Sequence, residues 1–169
     1  MHAAGSEFEE WRYPCGHVTG GTMTLTTAHP FPVDIPFLED LGVEFLGMGN
    51  GEAQVALTLE QRHMNSWHVT HGGMTMTLLD VAMAMAGRSE NPEIQASVTV
   101  EMKTSFMQAG GIAGDRIIAK GKTLHRSTTM CFCEGELWNG DKLVAKAMGT
   151  FKYLKRIDAA KKIQRNPRN

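Results

Sequence analysis

Apolar and polar positions follow two periods along this chain, and the change from one to the other marks its elements. Val43, Phe45, Ala53, Val55, Leu57 and Leu59 recur at alternate positions on either side of Gly49-Asn50-Gly51. A period of two around such a turn predicts a half-buried hairpin. Before it, Pro30, Pro32 and Pro36 mark an extended lead-in. Phe37 to Leu41 reads as one or two helical turns ended by Gly42. The period then changes. Asn65 to Arg88, NSWHVTHGGMTMTLLDVAMAMAGR, begins as a polar loop and becomes a run of Met, Leu, Ala, Val and Thr after His71-Gly72-Gly73, with no proline until Pro92. That predicts a long helix, apolar all round and therefore buried. It is too short and too interrupted for a membrane span of about 20 apolar residues.

Beyond a turn at Ser89 to Glu93 the alternation returns in four segments. Ala96 to Met107 places Val98, Val100, Met102 and Phe106 on one predicted face. Ile117 and Ala119 alternate with Lys120 and Lys122. Thr128 to Trp138 and Lys142 to Leu154 are joined by Asn139-Gly140, a strong hairpin signal. The order is short helix, two strands, one long helix, four strands. A helix too apolar to face water, with strands before and after it, implies an α+β fold in which an antiparallel sheet wraps around one long central helix.

Composition narrows this further. A chain of 169 residues with 42% hydrophobic content supports one domain with a sizeable core. The expected organisation is an N-terminal arm over residues 1–29, the domain over 30–155 and a basic tail over 156–169. The net charge of −1 gives no field favouring nucleic acid, so neither nucleic acid nor membrane is an expected partner. Of three cysteines, Cys131 and Cys133 fall on one face of a strand and Cys15 lies in the head. No disulfide framework follows, and the expected setting is a reducing cytoplasm. The head has no apolar stretch like that of a signal peptide.

The chemistry concentrates on the long helix. Asp80 is the one charge between Gly72 and Gly87. A carboxylate in so apolar a run must be paired, hydrated or raised in pKa. The N–H groups at the start of the helix, at Gly72, can receive a developing oxyanion. Eight residues of helix rise about 12 Å, too far for Gly72 and Asp80 to touch one carbonyl group. Either the two serve unrelated purposes, or a second copy of the chain completes the site. His63, His68 and His71 match no strong zinc spacing and have no nearby cysteine, so no metal is expected. The methionines of the helix read as core that could also form a pliable pocket wall. Trp67 either packs a dimer or touches substrate. Arg126 and Ser127 either bind phosphates or form an ordinary solvated turn.

Taken in order, Asn65, His71-Gly72-Gly73, Leu79-Asp80 followed by small residues, and Thr99-Val100-Glu101-Met102 resemble the hotdog-fold acyl-CoA thioesterases of the phenylacetic-acid-degradation (PaaI-like) type. The resemblance spans roughly Pro36 to Leu154. It implies that Asp80 is the catalytic nucleophile or general base and that the Gly72 N–H binds the thioester oxygen. It further implies that Asn65 positions the carbonyl or the water and that Thr99 orients the water. His71, read from its own place in the sequence, shapes the loop or its backbone and could assist the site. Gly73, Trp67, Arg126 and Ser127 are the expected substrate contacts. The implied substrate is an acyl-CoA, with coenzyme A as part of it and no separate cofactor. The implied assembly is a homodimer, and beyond it a dimer of dimers, with Asp80 and Gly72 of one site on different subunits. Two alternatives stay open: a non-catalytic acyl-CoA binding or sensing protein, and a hydroxyacyl-CoA dehydratase, whose hotdog members carry a motif that His29-Pro30-Phe31-Pro32 resembles.

Overall fold

The structure, a computed structural model, describes residues 27–90 and 96–154. The arm up to residue 26 with Cys15, the second half of the Ser89–Glu93 turn and the tail lie outside the described residues. α1 spans Pro36–Leu41 and ends, as its glycine predicts, at Gly42 in the left-handed region (φ 73°). The hairpin follows as β1, Glu44–Gly49, and β2, Glu52–Thr58. Its turn residues Asn50 (φ 52°) and Gly51 (φ 79°) are both left-handed, the geometry that matches the twist of the flanking strands. His29, at the end of the expected arm, pairs with Phe45 on the open side of β1.

A short 3-10 turn, Gln61–His63, leads through a loop to α2, Gly72–Arg88, the long helix of 17 residues. Four strands follow: β3 Ala96–Phe106, β4 Arg116–Arg126, β5 Met130–Asn139 and β6 Lys142–Leu154. The six described strands form one antiparallel sheet in the order β1-β2-β4-β5-β6-β3. β3, first after the helix, thus returns to the far edge. No helix among the described residues is long and apolar enough to cross a membrane.

α2 lies against the concave face of this sheet. Leu78, Leu79, Ala82, Met83 and Ala86 are fully buried there, with Val55, Ile117, Ala119, Leu137 and Phe151 beneath them. The approach is close because β4 and β5 pair Gly121 with Gly135 under the helix. A Cβ on Gly121 would run into the carbonyl of Ala82, and one on Gly135 would sit 3.0 Å from Met83 Cγ. Cys131 and Cys133 are free thiols buried on this same face.

Two expectations need correction. α2 is not buried all round: Met76 is exposed, and Thr77, Asp80, Val81 and Ala84 are only half-buried. The sheet covers one side of the helix, and among the described residues the opposite side is open. Nor do Val98, Val100, Met102 and Phe106 share a face. Between Thr99 and Glu101 the pairing of β3 with β6 shifts by one residue, leaving Val100 as a bulge. An extra residue reverses the inside-outside parity beyond it. Ser97 and Thr99 pair with the inward Tyr153 and Phe151. Past the bulge, Met102, Thr104 and Phe106 pair with Gly149, Ala147 and Ala145 on the same face. Val98 pairs with the exposed Lys152 and points outward.

Candidate active site

The loop before α2 is held by its own polar groups. Asn65 Oδ1 accepts from the backbone N–H of Trp67 (2.8 Å) and, more weakly, of Val69 (3.4 Å), while the Asn65 N–H donates to Val69 O (2.8 Å). Such local side-chain bonds are why Asn favours turns. His68 takes a left-handed φ of 57° within this loop. The loop is then anchored on both sides: the Thr70 N–H donates to Gly111 O and the His71 N–H to His63 O, each at 2.9 Å. His63 is itself buried, with Nδ1 accepting from the Glu60 N–H (2.9 Å).

These anchors fix the first turn of α2. His71 is the N-cap residue, and its Nδ1 accepts from the Gly73 N–H at 2.9 Å. An accepting Nδ1 is unprotonated, so the neutral ring carries its proton on Nε2. The cap satisfies Gly73 and leaves the Gly72 N–H without an acceptor among the described residues. A half-buried N–H at the positive end of a helix is suited to negative charge on an oxygen. The ring of Phe106 lies beside it, 3.6 Å from where a Cβ of residue 72 would stand.

Asp80 lies two turns further on, upon the open face of α2. Thr99 Oγ1 donates to its Oδ1 at 2.7 Å. This contact exists because the bulge at Val100 follows Thr99 and keeps both halves of β3 facing the helix. Burial raises the carboxyl above its ordinary value of 3.8, and the Thr99 hydroxyl partly opposes that. Asp80 forms part of the wall of a groove of about 480 Å³ that is otherwise mostly apolar, running between α1, α2 and β3.

Asp80 and Thr99 are therefore brought together, as are His71, Gly72 and Gly73, but the two groups occupy different levels of one helix. Asn65 belongs to the loop leading to the second group. Trp67 is 84% exposed, and its backbone N–H is held by Asn65. Arg126 and Ser127 stand elsewhere. Arg126 Nε pairs with Glu90 Oε2 (3.2 Å), and Ser127 Oγ accepts from the Met130 N–H (3.1 Å) and caps its own turn. The three histidines near the site are dispersed over separate tasks, and the described residues hold no cluster of three or more side chains suited to a metal. The sequence reading missed the groove's other contributors: Phe37 from α1, Met102 and Ser97 from β3, and Arg88 from the end of α2. One signal for them was present, since Met76, Asp80, Ala84 and Arg88 recur every fourth residue and so form one stripe on a helix.

Fold and sequence agree on the class: the chain belongs to the thioesterase superfamily and has its hotdog fold, with residues 68–146 matching the family model described as "Thioesterase superfamily". A Pseudomonas aeruginosa protein provisionally named an esterase is 33% identical over 119 residues, 69% of this chain and 87% of that one. The acyl-coenzyme A thioesterase PaaI of Escherichia coli is 30% identical over 86 residues, 51% of this chain and 59% of that one. Among solved structures, a point mutant of the phenylacetic acid degradation protein PaaI of Thermus thermophilus superposes with a TM-score of 0.65 at 28% identity, covering 71% of this chain and 100% of that one.

Proposed function

We propose that the protein hydrolyses an acyl-CoA thioester to the free acid and CoA, at sites shared between two subunits. The observation that carries this reading is the pairing, on one helix, of an open N-terminal N–H with a half-buried carboxylate held by a hydroxyl. The thioester oxygen sits on the Gly72 N–H, which stabilises the negative charge that grows on it. Thr99 occupies Asp80 Oδ1, so Oδ2 is the reactive oxygen. Either Oδ2 takes a proton from the water that attacks the carbonyl carbon, or it attacks that carbon itself and the resulting anhydride is hydrolysed. In both routes the C–S bond breaks with its electron pair going to sulfur, and thiolate is a good enough leaving group without a strong acid. The raised pKa of Asp80 makes it a better base than an exposed carboxylate.

Asp80 and Gly72 are about 12 Å apart along α2, so the Gly72 that serves Asp80 of one subunit belongs to another. Two features support a second copy. β3 is an edge strand with Val98, Val100 and Phe106 exposed, and the open face of α2 lies along the same side. Unpaired edges with apolar side chains are surfaces that a partner covers. Asn65 holds the loop that presents Gly72, and His71 leaves that N–H available. CoA belongs to the substrate, so the chemistry calls for no further cofactor.

The test is thiol release from a panel of acyl-CoAs by the native chain, Asp80→Asn and Asp80→Ala. Expected is native turnover that falls at least about 100-fold in both variants, with the oligomer intact by size exclusion. Tight acyl-CoA binding without release of thiol from any ester would favour a binding protein instead. An unsaturated thioester as product would favour a dehydratase.

A further inference from the structure

We propose that Trp67 of one subunit forms the end wall of the acyl groove in its partner, so that the site takes short acyl chains and excludes long ones. The inference rests on the shared-site hydrolase reading for the placement of the two chains. It goes beyond that reading in naming the acyl class and the residue that sets it.

The placement follows from symmetry. With Gly72 of each subunit serving Asp80 of the other, a twofold axis relates the two sites and the two copies of α2 run in opposite directions. The axis passes midway between residues 72 and 80, at Met76, which is exposed on the open face of the helix. Beyond that pair the same order continues. The chain that precedes Gly72 in one subunit passes Asp80 of the partner subunit and comes to the level of Ala84 and Met85. Those two residues, with Phe37, Val81 and Met102, supply the apolar lining of the groove.

The segment that arrives there is a closed turn that carries Trp67. Met64 bridges to Thr70, and the His71 N–H donates to His63 O, so residues 65–69 turn back outside that bridge. Asn65 ties the turn together: its Oδ1 accepts from the Trp67 N–H (2.8 Å) and its carbonyl from the His68 N–H (3.0 Å). The indole is the most exposed of the large apolar side chains described. A large ring on a backbone already fixed loses little freedom on contact, which is why tryptophan is an effective anchor between subunits. The level of Met85 lies about 7 Å past Asp80 along the helix. With bonds of about 1.5 Å in a zigzag, a chain of about six carbons fills that length. A longer chain meets the indole.

The experiment compares kcat/KM for hexanoyl-CoA and decanoyl-CoA. The native oligomer is run beside Trp67→Ala and Trp67→Leu, and each is checked for assembly by size exclusion. We expect the native protein to prefer hexanoyl-CoA by at least about tenfold, Trp67→Ala to lose most of that preference by gaining on decanoyl-CoA, and Trp67→Leu to lie between. Equal use of the two esters by the native protein would overturn the proposal. So would a loss in Trp67→Ala that is the same for both esters, since Trp67 would then serve CoA or assembly alone. Mixed dimers show which chain supplies the wall. Trp67→Ala is reassociated with a large excess of Asp80→Asn, which sets nearly every working Asp80 opposite an intact Trp67 of the other chain. Return of the native preference supports the proposal, and persistence of the relaxed one would overturn it. Equilibrium binding of both ligands separates this inference from the hydrolase reading. A Trp67-dependent preference in binding hexanoyl-CoA, with no thiol released by the native chain, would sink the hydrolase and leave the wall standing. Thiol release with a preference indifferent to Trp67 would do the reverse.

Discussion

Two influences oppose each other at the carboxyl of Asp80, and they can be separated by substitution. Burial raises its pKa and the Thr99 hydroxyl lowers it. The proposed reaction needs the carboxylate, so activity should fall as pH drops through a value above 3.8, the ordinary one. Thr99→Val removes the lowering influence, so the acid limb of kcat/KM moves to higher pH while kcat falls; a pH–rate profile reads both. Stability runs in the opposite sense. A carboxyl whose pKa is raised on folding favours the folded state while protonated, and that contribution is lost as pH rises through the folded-state value. At neutral pH Asp80→Asn should therefore match or exceed the native chain in urea midpoint although it is inactive. At Gly72 the N–H itself can be deleted. Gly72 is the first residue of α2, where proline is well tolerated, and His71 before it has ψ 136°, the extended form a residue preceding proline adopts. Gly72→Pro should keep the fold by circular dichroism and lower kcat about 100–1,000-fold. Gly72→Ala keeps the N–H and meets Phe106 only at ordinary contact distance, so its loss should be far smaller.

Among the elements, the tightest junction is that of α2 with β4 and β5. Gly121→Ala sets a methyl group against the helix backbone at Ala82, which no rotamer change can relieve. We expect it to destabilise the fold by about 1–3 kcal/mol or more, measured by urea unfolding. Element identity was largely readable from the chain. The alternation of β1 and β2 around Asn50-Gly51, the Gly42 stop and the start of α2 at Gly72 all rest on local rules that the structure follows. The parity of β3 was not readable. A bulge adds one residue without altering composition, so Val98, Val100, Met102 and Phe106 read as one stripe although pairing divides them. His71, Gly72 and Asp80 stood out because each breaks the apolar pattern around it. Arg88 and Ser97 did not, since an arginine closing a helix and a serine in a strand are ordinary by local rules.

For the molecule as a whole, the helix misread as buried on every side carries information about assembly. Its sequence suits an interior that the described residues of one chain do not provide, and under the proposed reading a second copy supplies the rest. If Asp80 and Gly72 of one site come from different chains, two inactive variants should repair each other. Mixed dimers of Asp80→Asn and Gly72→Pro contain one site with both groups intact and one with neither. Random reassociation should then restore roughly a quarter of native thiol release, whereas sites confined to one chain would restore none. The bulge at Val100 bears on this assembly in another way. It works as a phase shifter: the two halves of β3 are out of step with each other, and only the surplus residue lets both face α2. A substitution at residue 100 leaves that count intact and should be mild. Deleting residue 100 forces a choice: with Thr99 kept on Asp80, Phe106 turns away from Gly72, and with Phe106 kept in place, Thr99 turns outward. What must be preserved here is a residue count rather than a side chain, so single-residue deletions in β3 should be far more damaging than any exchange at Val100.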